Sequence, residues 1–251
     1  MKYTYNYNFF KEDNEQSFYV AGFLAADGYV NKKQTNVTLA LAIKDKEHLI
    51  KIRNLICDSK IHYYRQKEMY DSCRFTIHSK EITNDLFRFG IGNKKSQTYS
   101  MPSWMMSHPM THHFLRGYVD GDGCWCILTK KLKTPRATFK LEGTLKFLND
   151  FNELTINKNK KISLRNGIYH LDYGGNIICA KIAKYLYTTD ASIFLERKKD
   201  IVSKIYANER KCPSKQDIEE MITKLGKRYL VAKELGYSTG RISQLCKIYN
   251  I

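Results

Sequence analysis

The sequence is short of proline, of long apolar runs and of acids, and each shortage removes a class of protein. Only four prolines occur in 251 residues, so the chain is no proline-rich spacer and each proline reads as punctuation. The longest apolar run, Phe18 to Ala26, has nine residues. A membrane-spanning helix needs roughly 20, so no membrane partner is expected. The opening Met-Lys-Tyr-Thr-Tyr-Asn is polar where a secretory leader is apolar. Seven cysteines include no C-x-x-C pair, which argues against a disulfide framework or zinc ribbon and for a reducing compartment, cytoplasmic or organellar. Cys124 and Cys126 lie in an apolar strand-like run and read as core. His108, His112 and His113 straddle Pro109 without Cys or carboxylate partners at ligand spacing, so zinc is not expected there. Neither a phosphate-cradling glycine loop nor a Ser-His-Asp arrangement is visible.

The shortage of acids is the most informative. Asp and Glu number 25 against 42 Lys and Arg, a formal charge of +17, and the expected partner is a polyanion. Hydrophobic residues make up 43% and aromatics 13%, enough to fill real cores, so the excess charge does not belong to a disordered tail.

Four segments are expected: 1–92, a linker over 93–110 holding Pro102 and Pro109, a second block 111–208, and a short unit 209–251 set off near Pro213. The two large blocks repeat one pattern. The first reads helix 15–26, strands 28–33 and 36–44, helix 46–57, strands 60–66 and 70–78, helix 80–89. The second reads helix 112–121, strands 123–130 and 135–142, helix 143–154, strands 160–165 and 168–173, helix 175–187. Val37, Leu39, Leu41 and Ile43 alternate with Thr38, Ala40, Ala42 and Lys44, the period of a half-buried strand. Cys73, Phe75 and Ile77, and again Ala137, Phe139 and Leu141, alternate in the same way. The fold class is therefore α+β, each antiparallel sheet having one face covered by helices and one wet. A wet face is ordinary in itself. Here it carries Tyr29, Asn31, Lys33, Thr38, Lys44, Arg74, Thr76, His78, Arg136, Thr138, Lys140 and Arg165, types that meet phosphates and base edges, with Glu142 and Asp172 as the exceptions. Trp125, at the start of a strand, is a further candidate for that face. Lys130-Lys131-Leu132-Lys133 reads as a solvated hairpin.

One segment occurs twice. Val20-Ala21-Gly22-Phe23-Leu24-Ala25-Ala26-Asp27-Gly28 matches Leu115-Arg116-Gly117-Tyr118-Val119-Asp120-Gly121-Asp122-Gly123. Small residues recur four positions apart, Gly22 with Ala26 and Gly117 with Gly121, so two such helices can pack with their backbones close. Each then ends in Asp-Gly. The glycine is an ordinary cap, but a carboxylate in the last turn opposes the negative end of the helix dipole. Parallel packing would set Asp27 and Asp122 side by side, where they repel unless a cation neutralises them. Oxygen ligands completed by water and phosphate suit Mg²⁺.

At these residues the sequence resembles the LAGLIDADG homing endonucleases in their single-chain, two-motif form, over residues 15–207. Asn93-Lys94-Lys95-Ser96 and Leu195-Glu196-Arg197-Lys198 support the likeness. It implies two αββαββα domains whose sheets form a saddle over double-stranded DNA, with the motif helices between them. It also implies a monomer that cuts a long target site with Mg²⁺ and leaves short 3′ overhangs. Catalytic, metal-binding roles fall to Asp27 and Asp122. Assisting basic roles fall to Lys95 and Lys198, with Lys94 and Arg197 one position away. The sixth motif position is Ala25 in one copy and Asp120 in the other, which does not touch the essential acid. Two other readings stand beside this one: a DNA-binding regulator with a degenerate core, and an intron maturase binding host intron RNA. Retention of both acids favours the enzyme.

After Pro213, Ser214 and Asp217 resemble a capping box. Ala232, Gly236, Ile242 and Leu245 fall at the spacing of a helix-turn-helix, with Ser238 capping its second helix. Thr239, Arg241, Ser243 and Gln244 would then face a major groove. The alternative is a small helical subdomain docked on the core.

Overall fold

The structure is a computed structural model that describes residues 3–65, 71–129, 135–156, 160–209 and 212–251. The first block runs α1 (Glu15–Asp27), β1 (Gly28–Val30), β2 (Val37–Ala42), α2 (Lys46–Ile56), β3 (His62–Tyr64), β4 (Ser72–Ile77) and α3 (Lys80–Asp85). After a short α4 (Lys95–Thr98), the second runs α5 (Thr111–Asp122), β5 (Cys124–Leu128), β6 (Arg136–Gly143), α6 (Leu145–Thr155), β7 (Ser163–Arg165), β8 (Ile168–Gly174) and α7 (Asn176–Leu186). Helix α8 (Glu196–Glu209) follows, then α9 (Lys215–Leu225), α10 (Arg228–Glu234) and α11 (Thr239–Tyr249).

Each block builds a four-stranded antiparallel sheet of the same topology, β1-β2-β4-β3 and β5-β6-β8-β7. Register carries the alternation read from the sequence across strands. Tyr29 opposes Thr38, Thr38 opposes Thr76 and Ala40 opposes Arg74, so these share the solvent face. Leu39 and Phe75 share the buried one. In the second sheet Cys126 opposes Thr138 and Lys140 opposes Asp172 on the solvent face, while Phe139 and Leu141 are buried. One apolar core joins Phe18, Leu39, Phe75 and Phe89 to Phe114, Phe139, Leu148 and Ile182 across both blocks.

Helix α1 is buried on all sides over Ser17–Ala25, the signature of a helix sandwiched within a core. Asn14 opens it by accepting the Ser17 amide at 2.9 Å, and Gly28 ends it. Helix α3 tightens into a 3₁₀ turn over Leu86–Phe89 that stops at Gly90, whose φ of 75° suits glycine. The expected helix 80–89 is thus two pieces.

Several expectations need correction. Residues 93–110 are folded: besides α4 there is a 3₁₀ turn over Ser103–Ser107, and Tyr99, Met101 and Met105 are buried in the common core. Lys44 has left strand β2 for a 3₁₀ turn. In β5 the phase is opposite to the one expected. Trp125 is 3% exposed and packs on Phe139 with ring centroids 4.3 Å apart, while Cys124 and Cys126 are exposed. A one-residue change of phase exchanges the two faces of a strand, so Trp125 belongs to the core and the two thiols to the wet face. The Lys130–Lys133 hairpin lies outside the described residues. No helix among the described residues is long and apolar enough to cross a membrane.

The C-terminal unit has its own small core of Ile218, Val231, Ala232, Ile242, Leu245 and Cys246, into which Ile177 of α7 projects. The capping box at Ser214 and Asp217 is present. Gly236 has φ 69°, and Ser238 caps α11 by accepting the Arg241 amide.

Candidate active site at the paired helix ends

The two motif helices touch through their glycines. A β-carbon at Gly22 would lie 1.9 Å from the Phe114 carbonyl oxygen, and one at Gly117 would lie 1.9 Å from that of Tyr19. Further along, a β-carbon at Gly121 would lie 2.5 Å from Ala26 Cβ and 3.2 Å from Asp27 Oδ2. Partner numbers rise together along both helices, so α1 and α5 run parallel and end side by side. The stripe of small residues therefore sets the approach of the backbones and brings Asp27 to the last turn of α5, beside Asp122.

Two lysines complete this end of the seam. Lys95 Nζ donates to the carbonyls of Ala25 and Ala26, both at 2.7 Å. Lys198 Nζ donates to those of Val119, Asp120 and Gly121 at 2.8, 2.6 and 2.9 Å. Each lysine reaches carbonyls of the last helical turn, most of which a helix end leaves without partners; Val119 also accepts the Gly123 amide at 2.9 Å. Each also sets a cation against the negative end of the dipole, which offsets the carboxylate placed there. Both are buried, at 6% and 4% exposure.

Burial lowers the pKa of Lys95 and of Lys198 to about 8 although both acids pull the other way. The carboxyl of Asp122 is pushed up to about 6, first by the protein packed around it and then by Asp27. Asp27 is raised by the same crowding against the opposing pull of Lys198 and Lys95. Two repelling carboxylates that the lysines only partly neutralise are a donor set for a divalent cation. Among the described residues no three His, Cys, Asp or Glu side chains converge as metal ligands. The two aspartates fit Mg²⁺, which commonly takes one or two carboxylates and fills the rest with water and phosphate oxygens.

The neighbouring basic residues are used otherwise. Arg197 makes a two-pronged ion pair with Asp45, at 2.8 and 2.9 Å. Lys94 is exposed at the head of α4 with φ 62°. Asp120, the sixth motif position, is 1% exposed. It accepts Tyr19 Oη at 2.8 Å, Tyr187 Oη at 2.6 Å and the Leu195 amide at 2.8 Å, which makes it a structural acid. At the opposite end of the seam, buried Arg116 donates to Glu15 at 2.6 Å and to the carbonyls of Leu186 and Ile193. Neither network was legible from spacing, because its members are far apart in the chain.

On the solvent faces the structure groups Tyr29, Thr38, Arg74 and Thr76 in the first sheet. His78 is exposed just past β4, and Lys33 is exposed in the β1–β2 turn. Asn31 is spent locally: its Oδ1 accepts the amides of Thr35 and Asn36. The sequence reading missed His62 and Tyr64, which share the face of Arg74, its guanidinium 4.4 Å from the Tyr64 ring centre. Their signal was the register of β3 against β4. Arg136, Thr138 and Lys140 share the solvent face of the second sheet, and Arg165 there is paired with Asp172. Cys124, with its thiol 3.9 Å from that of Cys126, begins this face beside the site. On α11 the four candidates divide: Arg241 and Gln244 line a cleft. Thr239 and Ser243 sit roughly 100–160° around the helix axis from them.

Known structures share this architecture. The chain is similar to the I-LtrWI LAGLIDADG homing endonuclease bound to target DNA, with 13% identity and a TM-score of 0.56 over 83% of this chain and 96% of that one. It is similar to the homing endonuclease I-WcaI bound to its DNA recognition sequence, at 18% identity and TM-score 0.55 over 77% and 90% of the two chains. The LAGLIDADG meganuclease I-AabMI bound to uncleaved DNA matches at 12% identity and TM-score 0.52 over 95% and 98%. No protein-family model matches the sequence, nor does any curated protein. At these identities the likeness shows the fold, two LAGLIDADG-type domains in one chain.

Proposed function

We propose that this chain is a site-specific double-stranded DNA endonuclease that acts as a monomer and holds Mg²⁺ between Asp27 and Asp122. The observation that carries the reading is the pairing of the two motif acids at the ends of parallel helices, each helix end capped by a buried lysine. Asp27 and Asp122 would hold the cation, which would supply Lewis-acid stabilisation of charge building on the scissile phosphate and its leaving oxygen. The protein's own part is electrostatic and geometric. With pKa values of about 8, Lys95 and Lys198 are mostly protonated at neutral pH. Their carbonyl partners hold them still, so their charge faces the phosphate without reorganisation. No side-chain nucleophile is required; water attacks, one strand being served by each half of the pseudo-dyad, and short 3′ overhangs result.

The solvent faces of the two sheets then form the saddle on which the duplex lies, with Tyr29, Thr38, Arg74, Thr76, His78, Thr138 and Lys140 toward it. We read α10, the turn at Gly236 and α11 as a helix-turn-helix that extends this footprint. The decisive experiment incubates purified protein and Mg²⁺ with DNA spanning the uninterrupted host locus. Cleavage by the native protein is expected to vanish in Asp27→Asn and in Asp122→Asn while binding in Ca²⁺ persists. Binding without cleavage by the native protein would leave a DNA-binding regulator as the better reading.

A further inference from the structure

Between the C-terminal unit and the second sheet lies a cleft of about 810 Å³ whose walls come from distant parts of the chain. Arg136, the first residue of β6, stands on one side; Arg241, Gln244 and Lys247 of α11 stand on the other. Among the described residues no Asp or Glu lines it. None of its three cations has an ion-pair partner among the described residues. The Arg241 guanidinium donates to its own helix neighbour, Gln244, at 3.5 Å. Three unneutralised cations converging on one hollow repel each other, and an anion would relieve them.

The floor is bare by sequence. Gly174 lies under the Arg136 guanidinium, so that a β-carbon there would sit 2.8 Å from the Arg136 Nη2, and Gly175 follows with φ 116°. The first turn of α7 opens onto the same floor without a side-chain cap. The walls are held at a fixed spacing. Ile177 of α7 is lodged in the apolar core of the C-terminal unit, and Lys184 of α7 binds Glu209 of α8 at 2.8 Å. The cleft also continues a surface already described, since Arg136 shares the face of Thr138 and Lys140.

We propose that this cleft clamps the phosphate backbone of duplex DNA where it leaves the second sheet, with Arg136 and Arg241 on opposite sides of the strand. The proposal rests on the DNA-binding reading above and adds a residue-level path. It assigns Arg241, Gln244 and Lys247 to backbone contacts, which carry affinity and register rather than sequence, and leaves base reading by α11 to Thr239 and Ser243.

The test uses the full chain carrying Arg136→Gln, Arg241→Gln and Lys247→Gln together, titrated against a fluorescent random-sequence duplex over a range of NaCl. Each phosphate neutralised contributes about 0.9 to the slope of log K against log salt, so the slope should become shallower by roughly 2 to 3, whatever the flanking sequence. A control with Lys215→Gln, Lys224→Gln and Lys233→Gln removes equal charge from outside the cleft and should change the slope less than half as much. Equal slopes for the cleft and control variants, with the native protein binding normally, overturn the clamp alone. Failure of the native protein to bind duplex DNA overturns the reading on which it stands. A cleft variant that loses binding to structured RNA but not to duplex also overturns the clamp. Melting temperatures within about 1 °C of the native protein are expected for both variants, because the cleft side chains hold no ion pairs among the described residues and the control loses only the exposed Lys215–Glu219 pair, worth little in solvent.

Discussion

Replacing Gly22 or Gly117 with alanine tests the helix crossing on which the whole site depends. In an isolated helix this substitution stabilises by up to about 1 kcal/mol. Here the added carbon would fall 1.9 Å from a backbone carbonyl oxygen of the facing helix, and restoring ordinary contact needs roughly 1.5 Å of separation. Neither carbonyl can yield alone, since each belongs to a buried helix that packs on its own sheet. Overpacking a rigid core costs about 1–3 kcal/mol even where side chains can move. A backbone obstacle puts the net loss at about 3 kcal/mol or more, after the propensity gain is subtracted. For a chain of this size that is a fall in Tm of roughly 6–12 °C, measurable by circular dichroism. Cleavage should fall further than binding, because moving the helices apart also parts Asp27 from Asp122. The pair should not be additive, as both residues serve one crossing. Gly240→Ala in α11, where a β-carbon meets nothing within 4 Å, supplies the contrast: a small gain of about 0.5–1 kcal/mol. A Gly22→Ala protein as stable as the Gly240→Ala one would refute the reasoning.

Three further outcomes are expected. Lys198→Met removes three charged hydrogen bonds to the end of α5 and Lys95→Met removes two from α1. Both should lower kcat, with the larger drop in urea midpoint for Lys198→Met, and equal midpoints would mean that the carbonyl contacts do not hold the helix ends. His48 is 4% exposed and burial holds its pKa down to about 4, so the unfolded chain takes up its proton first as pH falls. Its contribution to stability is complete above about pH 6.5 and is lost as pH drops toward 4. A His48→Asn variant should therefore show a weaker fall in Tm over that window, and an unchanged fall would assign the dependence to other groups. Deleting residues 213–251 should weaken duplex binding and shorten the footprint on one side only, while an unchanged footprint would remove the C-terminal unit from the interface.

The sequence carried the elements whose evidence is local. Val37, Leu39 and Leu41 announced a strand by their period, and the repeated nine residues announced two packed helices ending in acids. Trp125 was misplaced because Cys-Trp-Cys-Ile-Leu is apolar throughout, so no polar residue marks which phase of the strand is wet. The repeat itself held the answer. Position 29 corresponds to 124 and position 30 to 125, so an exposed Tyr29 and a buried Val30 imply an exposed Cys124 and a buried Trp125. The capping role of Lys95 and Lys198 was beyond reach for another reason. Each reaches its helix from some seventy or more residues away, and nothing in local spacing records a contact made across a fold. The same holds for Arg197, which the family resemblance left open as an alternative and which Asp45 claims.

The two halves are alike where the proposed chemistry needs them alike and differ where packing allows. Asp27 and Asp122, with Lys95 and Lys198, form two equivalent sets, yet the lysines arrive on unrelated elements, the short α4 and the long α8. That difference accounts for the unequal sixth motif position. Lys95 leads directly into a segment whose Tyr99 and Met101 are themselves buried in the core, so Ala25 needs no polar role. Lys198 lies in the first turn of a helix that must be anchored at its start. Asp120 provides that anchor, accepting the Leu195 amide just ahead of α8 while the same carboxylate binds Tyr19 of α1 and Tyr187 beyond α7. Its own carboxyl is raised by burial against the pull of Lys198 and these three donors. A buried acid held by that many donors is costly to leave half-satisfied, so it fixes α8, and with it the ammonium that caps α5. The departure of one motif copy from the other is therefore a positioning device for the second lysine, and the pseudo-symmetry of the site is maintained by asymmetric means.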